Sequence, residues 1–93
     1  MRAIWNGRTI AESDQTIVVE GNHYFPPQSV DPAAIKDNSK TSVCHWKGTA
    51  RYFDVLSGED INSAAAWSYP SPSADARNIA GYIAFWKGVT VEP

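Results

Sequence analysis

The segment Cys44-His45-Trp46-Lys47-Gly48-Thr49-Ala50-Arg51 sets the one cysteine of the chain beside two cations, an imidazole, an indole and a glycine. A cysteine attacks as its thiolate, which a neighbouring cation such as Lys47 favours, while His23 or His45 can accept the proton. That set suffices for group transfer or hydrolysis with Cys44 as nucleophile, His23 as base and Lys47 as electrostatic helper. Lys47, if it lies in a pocket, can also serve as nucleophile or acid. A lone free cysteine more commonly packs as a small hydrophobe, so packing stands beside catalysis as a reading of Cys44. Cys44, His45 and His23 are also metal-ligand types. Adjacent Cys and His residues cannot both face one ion without a tight turn, and no second cysteine or spaced histidine pair exists, so no metal site is assigned.

The same segment suits an anion. With a strand starting at Thr49, Lys47 sits in the preceding turn and Arg51 two steps along one face, so an ammonium and a guanidinium can meet one ligand. Gly48 lets backbone amides approach it and Thr49 adds a hydroxyl. Two solvated surface cations are the competing reading. The rings of the chain must first build a core, because a domain this small needs their large buried area. Trp46, Trp67 and Tyr69, adjacent to turns or prolines, together with Tyr24, are the candidates for a ring-lined cleft beside Lys47. His23 is a candidate proton carrier, the competing reading being a hydrogen bond to a neighbouring loop. Asp54, Glu59 and Asp60 lack the spacing of a paired acid and base and receive no chemical role.

The bulk composition sets the limits for these side chains. With 93 residues, 43% of them hydrophobic and 12% aromatic, the chain fits one domain, residues 1–93, around one core. Eight Lys and Arg against ten Asp and Glu give a net charge of -2, which disfavours nonspecific nucleic-acid binding. One cysteine makes no intrachain disulfide, the first residues carry no secretory apolar run, and no stretch is long and apolar enough to span a bilayer. The expectation is a soluble protein of the reducing cytoplasm that does not engage membranes.

Strands must position the candidate residues. Arg2–Trp5 and Arg8–Glu12 flank Asn6-Gly7, whose residues accept the positive φ angles of a type I′ turn. Thr16–Val19 predicts another strand closed by Gly21-Asn22, with His23-Tyr24-Phe25 extended until Pro26-Pro27, which completes a first meander by about residue 25. Asp31 followed by Pro32 predicts a short helix, or a single turn, to about Lys36. Residues 37–41 read as a loop. Thr49–Leu56 and Ala64–Tyr69 predict paired strands around the turn Ser57-Gly58-Glu59-Asp60. Ser73 can cap a short helix through Ile79, Tyr82–Trp86 reads as a strand, Lys87-Gly88 as a tight turn and Val89–Val91 as a final strand. The fold class expected is mostly β: a compact antiparallel single domain, a complex sheet or barrel-like, with one or two short helices.

The ordered set His23-Tyr24-Phe25-Pro26-Pro27, Cys44-x-Trp46-Lys47-Gly48-Thr49-Ala50, Ala66-Trp67-x-Tyr69-Pro70 and Ile79-Ala80-Gly81-Tyr82-Ile83-Ala84-Phe85-Trp86 resembles the small family catalogued as domain of unknown function 427. The likeness runs over essentially the whole chain, with one departure: the family pattern has proline after its cysteine, where this chain has His45. The resemblance implies a compact β-rich fold of antiparallel strands with short helices. The family's nucleotidyltransferase-type name implies nucleotide and divalent metal. This sequence carries no Asp-x-Asp pair, Gly-Ser phosphate clasp or Walker-type loop, and it specifies no cofactor.

The functional expectation is a domain that holds a small anionic ligand, a nucleotide or phosphorylated metabolite, in an aromatic-lined cleft. Lys47 and Arg51 neutralise the anion, Gly48 and Thr49 donate hydrogen bonds, and Trp46 or Trp67 stacks, with Tyr24 and Tyr69 completing the wall. The alternatives are an enzyme using Cys44 or Lys47, and an interaction module whose strand edge or aromatic patch pairs with a partner or a second copy.

Overall fold

The Asn6-Gly7 turn closes as its sequence requires. In a computed structural model, which describes residues 1–93, Asn6 and Gly7 take φ of 55° and 76° and join β1 (Arg2–Trp5) to β2 (Arg8–Glu12). A second turn of the same kind, Glu20-Gly21 at φ 53° and 81°, joins β3 (Ile17–Val19) to β4 (Asn22–Tyr24). The long strands follow: β5 (Ile35–Cys44), β6 (Gly48–Ser57) and β7 (Asp60–Ser68), then the short β8 (Ile83–Phe85) and β9 (Thr90–Glu92). They form a three-stranded sheet in the order β2-β1-β9, a β3-β4 ribbon and a four-stranded sheet β5-β6-β7-β8, with antiparallel pairing throughout.

Four expectations are corrected. The first two hairpins do not join into one meander. The Ser13 amide closes the first hairpin on the Met1 carbonyl at 3.0 Å, and the ribbon instead meets β8 through reciprocal Phe25–Ile83 hydrogen bonds of 2.8 and 2.9 Å. Residues 37–41 are strand rather than loop: Asp37 and Asn38 pair with Phe53 and Tyr52, a bulge carries Ser39 and Lys40, and pairing resumes at Thr41 opposite Arg51. A polar sequence is tolerated there because β5 is the edge of its sheet. The return strand β7 begins at Asp60 rather than Ala64, since Ser57 already pairs with Asp60 around a tight turn. Both expected helical segments are 3-10 turns, so the single turn expected as one form after Asp31 holds, ending earlier than Lys36, and the Ser73–Ile79 helix does not. Asp31 does cap Pro32–Ala34, accepting the Ala33 amide at 3.0 Å, but Ile35 is already strand. Ala74–Ile79 is broken at Ala76 (φ -115°, ψ 16°), and the Ser73 hydroxyl bonds the Trp46 carbonyl instead of capping it.

Alternation along the four-stranded sheet sends side chains to two faces. Val55, Ala66, Ile83 and Phe85 join Ala3, Ile10, Phe25 and Val89 in a cluster of 12 buried residues against the three-stranded sheet. Ala50 and Ala84 join Tyr24, Tyr69, Ala76 and Ile79 in a smaller cluster of 6, beneath the ribbon and the broken turn, with Tyr52, Trp67 and Cys44 packed on it. The second face holds the candidate site.

Candidate functional site

Three residues, His45, Trp46 and Lys47, make the turn between Cys44 and Gly48, which pair across β5 and β6. Gly48 leaves this turn at φ 113°, where a side chain is strained, and a Cβ there would stand 3.5 Å from the Pro72 backbone. The segment after Pro70 braces the turn from that side: the Ser73 amide donates to the Lys47 carbonyl at 3.0 Å. So held, Lys47 turns inward and is only 7% exposed.

Burial of an ammonium must be compensated. Glu20, at the tip of the β3-β4 turn and 27 residues away in sequence, accepts a charge-assisted hydrogen bond from Lys47 Nζ. The same nitrogen lies 5.0 Å from the Trp46 ring centre and 5.7 Å from that of Tyr69, within cation–π range. Burial is the largest influence and pulls the Lys47 pKa down, but the hydrogen bond to Glu20 together with Tyr24, Tyr69 and Cys44 outweighs it and leaves the value above that of an ordinary lysine. Lys47 is therefore a cation at neutral pH.

Beside it opens a cavity of about 180 Å³, walled by Asn22, Tyr24, Lys47, Tyr52, Trp67, Tyr69 and Trp86. The ribbon contributes Asn22 and Tyr24. Tyr52 and Trp67 are cross-strand partners on β6 and β7. The rings meet edge to face: Tyr24 and Trp67 at 6.2 Å and 89°, Trp67 and Trp86 at 5.8 Å and 77°. Trp67 Nε1 donates to the Tyr24 hydroxyl at 3.2 Å, and Ser42 and Tyr52 share a hydroxyl hydrogen bond of 2.9 Å. Burial raises the pKa of Tyr24 and of Tyr69, so both are neutral phenols at physiological pH.

Trp86 is fixed by a feature of β7. Ala64 takes a left-handed φ of 54° where the β6-β7 register shifts. Its amide donates to Asp54 Oδ1 at 2.9 Å, its carbonyl accepts Trp86 Nε1 at 2.7 Å, and Asn38 Nδ2 donates to the same Asp54 oxygen at 2.7 Å. Asn38 first and Ala64 second thereby hold the Asp54 carboxyl below the usual aspartate range. Lys40, on the β5 bulge, lies 4.7 Å from the Tyr52 ring centre and 5.8 Å from that of Trp86.

The structure brings together Lys47, Tyr24, Trp67 and Tyr69 of the expected set, with Gly48 beside them. Cys44 is half-buried against the same cluster, and the backbone amides of Lys47, then Trp46, lower its thiol pKa. Other candidates lie elsewhere. His23 sits between Asn22 and Tyr24 on the ribbon, so it faces away from the cavity, with Nδ1 3.0 Å from the Thr16 hydroxyl. Thr49 and Arg51 alternate to the face opposite Gly48 and Tyr52, and Arg51 makes an exposed 3.5 Å pair with Asp37. The Trp46 indole is 41% exposed and does not line the cavity. Sequence reasoning passed over Glu20, Asn22 and Lys40 and treated Tyr52 and Trp86 as core. The Tyr52–Trp67 pair was accessible from strand register, but nothing local joins Glu20 to Lys47.

The family model described as a domain of unknown function (DUF427) matches residues 1–92. The chain belongs to that family. No curated protein matches it. The transferase-type name of the DUF427 family implies a divalent metal, which the donor set here does not fit: no three His, Cys, Asp or Glu side chains stand together, no carboxylate lines the cavity, and Glu20 is taken by Lys47. Across the DUF427 domain no helix is long and apolar enough to cross a membrane.

Proposed function

We propose that this DUF427 domain binds a small anionic ligand, a carboxylated or phosphorylated metabolite, in the ring-lined cavity, with Lys47 as the anion's counter-charge. The observation that carries this reading is a charged lysine buried in the wall of an aromatic cavity, with one carboxylate partner that is itself more than half exposed, at 57%. A ligand anion can replace or join Glu20 on that ammonium without leaving a buried charge unpaired, because Glu20 returns to water. Asn22 adds a polar group and the five rings supply apolar wall. A cavity of about 180 Å³ equals roughly six water volumes, so a nucleotide would enter by one part only. The lone cysteine, with no disulfide, suits the reducing cytoplasm where such metabolites are abundant.

The test is a thermal-shift screen of anions and phosphorylated metabolites against wild type and Lys47→Met. Stabilisation in wild type that the variant loses supports the reading. Ligands that stabilise both proteins equally overturn it. A second reading, an enzyme with Cys44 as nucleophile, is favoured by the lowered thiol pKa, although His23 is not placed to serve as its base. Alkylation of Cys44 at neutral pH much faster than of a free thiol supports that role; alkylation only on unfolding excludes it.

A further inference from the structure

We infer that the cavity's ligand is a small zwitterion, a methylated ammonium joined by a short link to a carboxylate; this rests on the anion reading of Lys47 and adds the cation. Two properties of the walls point to it. The faces of aromatic rings carry negative potential, which attracts onium groups and repels anions, so only the Lys47 end of the cavity welcomes a carboxylate. The rings also stand at 89° (Tyr24–Trp67), 77° (Trp67–Trp86) and 42° (Tyr52–Trp86) to one another, which makes a corner for a round group and offers no parallel pair to sandwich a flat base.

The protein already places an ammonium on two rings of this wall, from a residue outside the cavity lining. Lys40 Nζ lies 4.7 Å from the Tyr52 ring centre and 5.8 Å from that of Trp86, and Lys40 is exposed on a bulge, free to swing into solvent. A ligand ammonium that takes its place on Tyr52 and Trp86, while its carboxylate meets Lys47, restores each contact that Lys40 and Glu20 give up. A zwitterion brings no net charge into the cavity, whereas a plain cation would face Lys47 and a plain anion would face the rings.

The test uses three probes of near-equal shape on the wild-type chain, followed by calorimetry: trimethylglycine, which has both charges; 3,3-dimethylbutyrate, which replaces its nitrogen by carbon; and choline, which lacks the carboxylate. Trimethylglycine is expected to bind about tenfold or more tighter than either half-probe. Lys47→Met should weaken trimethylglycine and tighten choline, which no longer faces a like charge, and Lys40→Ala should tighten trimethylglycine by vacating the rings. If 3,3-dimethylbutyrate binds as well as trimethylglycine, the zwitterion is overturned and the anion reading stands. If choline binds as well as trimethylglycine and Lys47→Met changes neither, both are overturned. If no probe binds, the zwitterion is overturned, and the thermal-shift screen against phosphorylated anions decides the anion reading separately.

Discussion

On one face of the four-stranded sheet Val55, Ala66 and Phe85 close with Phe25 and Ile10 against the three-stranded sheet, in a cluster without a polar side chain. On the other face Tyr24, Tyr52, Trp67 and Tyr69 leave a cavity of about 180 Å³ and hold an ammonium. Both faces are rich in rings, and the difference lies in their tips. Phe25 and Phe85 pack edge to face at 5.6 Å with nothing to satisfy, whereas each tyrosine and tryptophan of the second face brings a donor or acceptor that must find a partner when buried. No buried side-chain polar atom lacks one. The first face is built for cohesion and the second keeps polar groups in position.

Substitutions should separate these roles. Phe25→Ala, which empties a fully buried site of the first face, should cost about 3–5 kcal/mol in denaturant unfolding. Where the protein stays folded, its anion binding should be unchanged. Asp54→Ala should cost about 1–3 kcal/mol, because the Ala64 amide and the Asn38 side chain lose a charged acceptor. The Asp54 pKa is depressed, so its contribution is present above the ordinary aspartate value of about 3.9 and is lost as pH falls through the lower folded value. Acid titration of Asp54→Asn should therefore show a flatter decline than wild type.

Tyr24→Phe should cost about 1 kcal/mol, the worth of the hydrogen bond from Trp67, and should shift tryptophan emission. Lys47→Met should change stability least, within about 1 kcal/mol, since an apolar chain of similar length fills the site and the freed Glu20 is solvated. It should nonetheless abolish anion binding, so the smallest stability effect accompanies the largest functional one. The sign of its pH dependence is opposite to that of Asp54. The folded Lys47 pKa is raised, so the ion pair contributes fully below the unfolded lysine value of about 10.4 and is lost as pH rises through the folded value. The alkaline decline in stability should be shallower in Lys47→Met. Equal decline in both proteins would show that the Glu20 contact is not stabilising in solution.

Much of the fold was legible because short-range chemistry dictates it. Asn6-Gly7 could hardly be other than a turn, and the ring-rich run from Thr49 had to be a half-buried strand. Residues 37–41 were not legible, since an edge strand with solvated side chains has the composition of a loop. At the cavity, the grouping of Lys47, Tyr24, Trp67 and Tyr69 was legible because a cation, a glycine and rings beside prolines recur around turns. Arg51 and Thr49 lie off the cavity by parity: once β6 begins at Gly48, its odd-numbered neighbours point away from Tyr52. Glu20 and Lys40 depend on where one turn and one bulge fall in space, which no local pattern encodes.

The β3-β4 ribbon gives the cavity its last property. Each strand has three residues, and the ribbon is tied at its base by the Phe25–Ile83 hydrogen bonds and at its tip by Glu20. Tyr24, buried and bonded by Trp67, anchors it further, so this short ribbon should open locally at lower free energy than the long strands opposite. Amide hydrogens of Ile17 and Val19, the hydrogen-bonded positions of the ribbon, should exchange with solvent well before those of Tyr52 and Phe53. The site is thus half scaffold and half door, and the door's latch is one carboxylate.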